Sequence, residues 1–172
     1  MIDDRARFLV IIGAVIAVLL QIIIAPNIAI AGAMPNFLLV FGMIVAIASP
    51  REGGVVLPFA LGMIFDLMGG GPVGAMAFLL TLASFAASRA FSVLDNENLF
   101  MPFVTLIVSM LAVELFYGVF LVWFGVDVTV LDAFLYRGLP CALYDAVFGL
   151  VLYPILSRVL SSSSQPGMPQ FK

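Results

Sequence analysis

From Phe8 to Pro50 the chain runs without a single ionisable side chain. A helix crosses the hydrocarbon core of a bilayer in about 20 apolar residues, with a range of roughly 17–25. The run is therefore too long for one crossing. It is broken at Pro26-Asn27 and again at Gly32-Ala33-Met34-Pro35, so it reads as a hairpin of two membrane helices. The rest of the chain has the same character: 64% of its 172 residues are hydrophobic and 10% are charged. Soluble domains carry about 45–50% apolar and about 25% charged residues. There is too little charge here to solvate a surface, and the lipid bilayer is the expected surrounding. Seven Lys and Arg against ten Asp and Glu leave a net charge of −3, which excludes the basic footprint of a nucleic-acid binder. The chain has no histidine and one cysteine, Cys141. His-based catalysis, His metal ligation, multi-thiolate sites and an intrachain disulfide framework are excluded with them.

Helix breakers and charges divide the chain into six spans, at about 8–26, 35–50, 54–68, 72–88, 99–124 and 138–157. Pro35 is expected at the first position of the second helix. Arg51-Glu52-Gly53 forms the next turn, and Gly69-Gly70-Gly71-Pro72 stops one helix and restarts another. The segment 125–137 reads as a connection, and 161–172, beginning Ser161-Ser162-Ser163-Ser164, as a flexible cytoplasmic tail after a single transmembrane domain over 1–160. Lys and Arg in short loops mark the cytoplasmic side. With both termini inside, that side holds Arg5, Arg7, Arg51, Arg89, Arg158 and Lys172, and the outer side only Arg137. The expected architecture is an all-α integral membrane bundle of six helices, N-in and C-in. A rival reading, residues 1–33 as a cleaved signal peptide ending near Ala29-Ile30-Ala31, fits poorly because the apolar stretch exceeds the usual 7–15 residues.

Helices in lipid associate through small residues and buried polar groups. Gly54, Pro58, Gly62 and Asp66 recur at steps of four on the third span, followed by Gly70 and Gly74. The fourth carries Gly74, Ala77, Thr81, Ser84 and Ser88, and the sixth Cys141, Asp145 and Gly149. Close helix packing is the favoured reading of these stripes, over a ligand cavity. Three acids, Asp66, Glu114 and Asp145, fall inside spans. At 1.5 Å per residue they lie in one layer roughly 18–22 Å from the inner face, with Arg137 the nearest counter-charge. Such residues face the bundle interior or a wet cavity and mark function by default. A proton or cation path and a hydrogen-bonded packing lock are both open readings. Asp66 sits one turn before the Gly-rich break, where it is placed to accept amides from the restarting helix at Pro72-Val73-Gly74. On that reading Asp66→Asn is tolerated and Asp66→Leu is not.

The residues Pro35-Asn36-Phe37-Leu38-Leu39, Arg51-Glu52-Gly53 and the segment PFALGMIFDLMGGGPVG resemble the MreD family of rod shape-determining proteins of the bacterial inner membrane. The specific likeness covers about 35–88. The resemblance implies a non-enzymatic scaffold of the cell-elongation machinery, without cofactor or metal. Its implied partners are the bitopic protein MreC, RodA with its partner transpeptidase, and indirectly MreB filaments; a homodimer is left open. It also implies a helix arrangement similar to the substrate-binding subunits of energy-coupling-factor transporters, which keeps a transport function as the alternative. Arg51, Glu52, Arg89, Asp95 and Glu97 are the polar features expected on the inner surface and the candidates for cytoplasmic contact.

Overall fold

The computed structural model describes residues 3–30, 32–50, 54–93, 100–126 and 129–164. Six α-helices make up nearly all of them: α1 (Asp3–Ile23), α2 (Phe37–Ala48), α3 (Val56–Met68), α4 (Ala75–Val93), α5 (Met101–Trp123) and α6 (Leu139–Ser164). A 3-10 turn, Ala25–Ile28, follows α1, and a π-helical turn, Asp132–Gly138, runs directly into α6. Asp4–Ile23, Met101–Trp123 and Asp132–Leu160 are long and apolar enough to cross a membrane, while α2, α3 and the apolar part of α4 are shorter. The six helices are therefore three long and three shorter ones. At 1.5 Å per residue α2 is about 18 Å long, well short of a hydrocarbon core of about 30 Å.

The reason α2 can be short is that it does not face lipid. Its sequence, FLLVFGMIVAIA, is apolar on every side, and every residue from Phe37 to Ile47 is buried. A helix that is hydrophobic all round belongs in the centre, and α2 packs against all five other helices. Leu38, Leu39, Met43, Ile44 and Ile47 meet Leu61, Met76, Leu80, Leu106 and Met110 in one core. The outer helices turn their remaining apolar residues outward, as Phe8, Ile11, Val15, Leu19 and Ile22 do on α1 and Val104, Val108 and Phe116 do on α5. In water this surface would be untenable; in lipid it is a solvent-matched exterior.

Several boundaries differ from the sequence expectation, each for a local reason. Helix α1 stops at Ile23, because Pro26 and Asn27 fall in the 3-10 turn. Pro35 is not the first residue of α2. Asn36 is its N-cap, with Oδ1 accepting the Leu39 N–H at 3.0 Å. Helix α4 starts at Ala75, three residues after Pro72, because Gly74 turns the chain at φ +94°. Part of the expected connection 125–137 is helical: the π turn covers Asp132–Gly138, and just before it the Thr129 hydroxyl accepts the Asp132 N–H at 3.2 Å. The expected tail begins later, since α6 runs on to Ser164, and residues 165–172 lie outside the described residues.

Candidate functional site

Two helices begin in the interior, and each start must find acceptors for its free N–H groups. Hydrocarbon offers none, so the protein supplies them. At α4 the supplier is Asp66, near the end of α3 and 1% exposed. Its Oδ2 accepts the N–H groups of Gly74 at 2.9 Å and Ala77 at 3.1 Å, and its Oδ1 that of Met76 at 3.1 Å. Three donors and the positive end of the helix dipole converge on one carboxylate. The approach is close because Gly62 lies one turn earlier on α3. A Cβ there would sit 2.6 Å from the Ala77 amide nitrogen and 2.7 Å from the Met76 carbonyl oxygen.

At α2 the N-cap Asn36 and side chains from two other helices share the work. The Asn36 N–H donates to Asp145 Oδ1 of α6 at 2.6 Å, and the Phe37 N–H donates to Gln21 Oε1 of α1 at 2.7 Å. Gln21 Nε2 in turn donates to the Pro35 carbonyl at 3.3 Å, tying α1 to the chain that enters α2. Glu114 of α5 completes the group: its carboxyl lies within hydrogen-bonding reach of the Asn36 side chain and of Asp145. All four side chains are buried, Asp145 completely. A small cavity of about 40 Å³ adjoins them, lined by Gln21, Asn36, Glu114, Tyr117, Arg137 and Cys141 among others.

The three acids expected in one layer thus form two sites. Glu114 and Asp145 meet at the head of α2, and Asp66 stands apart at the head of α4. Met76 lies between, with its N–H on Asp66 and its Sδ 4.0 Å from Asn36 Nδ2. Tyr117 also adjoins both, its ring edge-on to Phe65 at 6.0 Å while it lines the cavity beside Glu114. Arg137, placed by the π turn, lines the same cavity as Glu114.

The glycine stripe of α3 is narrower than its sequence spacing. Pro58, Gly62 and Asp66 are buried, but Gly54 and Gly70 lie outside the helix, exposed, with nothing within 4 Å of an added Cβ. Gly74 serves as the turn described above rather than as a packing contact. On α4, Ala77 and Ser84 are buried, whereas Thr81 and Ser88 are part-exposed and donate to the carbonyls of Ala77 and Phe85. On α6, Cys141, Asp145 and Gly149 all face inward.

Of the expected inner-surface residues, Arg51, Glu52, Asp95 and Glu97 lie outside the described residues. Arg89 is exposed near the end of α4, its guanidinium 5.2 Å from the centre of the Phe85 ring. It borders a groove of about 390 Å³ with Ala46, Pro50, Gly54 and Ser88.

Sequence reasoning missed Gln21 and Asn36. Both carried a signal: Gln21 is the lone amide in the α1 segment, and Asn36 directly precedes an unbroken apolar helix, the usual place of an N-cap.

Compared with known proteins, the chain matches the family described as rod shape-determining protein MreD over residues 4–162. The chain belongs to the MreD family. The match takes in every helix, both buried helix starts and all three interior acids. No curated protein and no solved structure matches it. MreD proteins are non-enzymatic, shape-determining proteins of the bacterial inner membrane. In this MreD-family chain two of the three interior carboxyls, Asp66 and Asp145, are spent on helix starts, a structural use consistent with that role.

Proposed function

We propose that this chain is the membrane-embedded scaffold of the bacterial cell-elongation complex. In that role it binds MreC and, with RodA and its partner transpeptidase, couples MreB filaments to peptidoglycan synthesis. Membership of the MreD family across residues 4–162 is the observation that carries the reading. Two features support it. Buried Gln21, Asp66, Ser84 and Asp145 each bond from one helix to another or to its start, and the exterior of α1, α5 and α6 is apolar enough to meet lipid or another protein's membrane helix. The cavity beside the acids, about 40 Å³, is far smaller than the roughly 300–1,000 Å³ of a small-molecule site, which speaks against a transport subunit that binds a small-molecule substrate at these acids. In the proposed orientation both termini are cytoplasmic, and so is the groove beside Arg89.

The test is copurification of the full chain with MreC from detergent-solubilised membranes. Stoichiometric MreC is expected, with cells depleted of this protein losing their rod shape. Monodisperse, folded protein free of MreC would reject the reading.

A further inference from the structure

We propose that Glu114 and Asp145 form a proton-binding site, holding one proton between them as a carboxyl–carboxylate pair at the head of α2. The inference goes beyond the scaffold reading, and its test does not involve a partner. It starts from an orphaned atom. Asp145 Oδ1 accepts the Asn36 N–H, but Asp145 Oδ2 is fully buried and has no hydrogen-bond partner. A buried polar atom left unpaired is costly, more so when it is charged. The neighbouring titratable side chain is Glu114, itself buried and within hydrogen-bonding reach.

Counting protons decides the state. With none, two carboxylates face each other in a low-dielectric interior, an arrangement in which both cannot stay ionised. With two, no negative charge remains opposite the start of α2, where the helix dipole favours one. One proton gives an O–H donor between the two carboxyls, satisfies the orphaned oxygen and leaves a single negative charge. The surroundings match that count. Arg137 comes from the π turn, Tyr117 from α5 and Cys141 from α6, with the amides Gln21 and Asn36 from α1 and the head of α2. Asp66 of α3 lies beyond Tyr117, and its oxygens are occupied by α4 amides. Among these groups Arg137 alone is cationic, a partner for one charge and not two.

The site also has an entrance. The cavity beside Glu114 is bordered by Gly32, Met34 and Arg137, all three exposed. That border, with its cationic Arg137, is the path by which the proton would be exchanged at that end of the bundle. Because Asp145 holds the Asn36 amide while Glu114 lies on another helix, the proton joins α2, α5 and α6 at one point. Removing it turns an attractive contact into a repulsive one at the head of the central helix.

Thermal unfolding and infrared spectroscopy of the full chain in detergent test this. Wild type should show the carbonyl stretch of a water-shielded protonated carboxyl at neutral pH. Glu114→Gln and Asp145→Asn should each lose that band while staying folded, because an amide N–H replaces the shared O–H donor. The wild-type unfolding midpoint should fall by several degrees as pH is raised until the proton leaves, and the midpoint of Glu114→Gln should stay level over the same range. A wild-type protein without the band, a band that survives in both variants, or equal pH slopes would each overturn the proposal. So would a midpoint at high pH that sodium chloride restores and choline chloride does not, since the occupant would then be a metal cation.

Discussion

A methyl group at Gly62 would have to occupy space held by the backbone of Ala77, and a backbone cannot swing aside as a side-chain tip can. The same substitution at Gly149 meets only the ends of Leu106 and Met110, at 2.8 and 2.9 Å, both of them flexible. The two glycines look alike in the sequence, each four residues from an interior aspartate. Their neighbours make them different. Gly62→Ala is expected to force α3 and α4 apart and to cost about 1–3 kcal/mol, the usual range for overpacking. Gly149→Ala should cost less than about 1 kcal/mol. Reversible unfolding in mixed detergent micelles compares them directly, and equal losses would mean that α3 and α4 are not held at this distance. The consequence should also reach Asp66, since widening the helix pair draws its carboxylate away from the Met76 and Ala77 amides.

Helix starts set the level at which the acids matter. The helix order could be read from the chain because glycines, prolines and charges punctuate the apolar runs: Gly69-Gly70-Gly71-Pro72 does separate α3 from α4, and the amides beyond that break do come to Asp66. The central position of α2 was less legible. An apolar stretch bounded by turns reads equally as a lipid-facing span or a core helix, and only packing on all sides of Phe37–Ile47 distinguishes them. Nor can linear depth reveal which acids meet, because depth leaves the rotation of each helix undetermined. Asp145 turns toward Asn36, 109 residues away, whereas Asp66 turns toward its own hairpin. The geometry at α4 also changes what Asp66→Asn should do. Both carboxylate oxygens accept N–H groups. An amide offers one acceptor and sets its own donor against a backbone donor. Asp66→Asn is therefore expected to be destabilising by about 1–3 kcal/mol, a heavier loss than the tolerance expected from the sequence, which did not show that both oxygens are occupied. Asp66→Leu should be worse still, leaving all three amides unpaired. Unfolding measurements that rank Asn level with wild type would reject the three-donor cap.

For the whole molecule, the short interior helices and the long outer ones form one system. Because α2 is screened from lipid, its ends need not reach the membrane surfaces, and both helix starts can lie within the bilayer if carboxyls and amides from other helices satisfy them. That arrangement makes orientation consequential, since the small cavity at Arg137 and the groove at Arg89 adjoin different helix ends, the head of α2 and the tail of α4. The charge distribution, six basic residues against one, predicts that the Arg137 end faces outward and that both termini face the cytoplasm. The native Cys141 is buried, so a thiol introduced at the surface can be read against a low background. Ile2→Cys and Ser163→Cys should both resist a membrane-impermeant maleimide in intact spheroplasts and react after the membrane is opened, while Tyr136→Cys, exposed on the π turn, should react before opening. Labelling of Ile2→Cys and Ser163→Cys on opposite sides would require an odd number of crossings. Labelling of all three in the reverse sense would put the Arg137 cavity in the cytoplasm, and the Glu114–Asp145 proton would then answer to cytoplasmic rather than external pH.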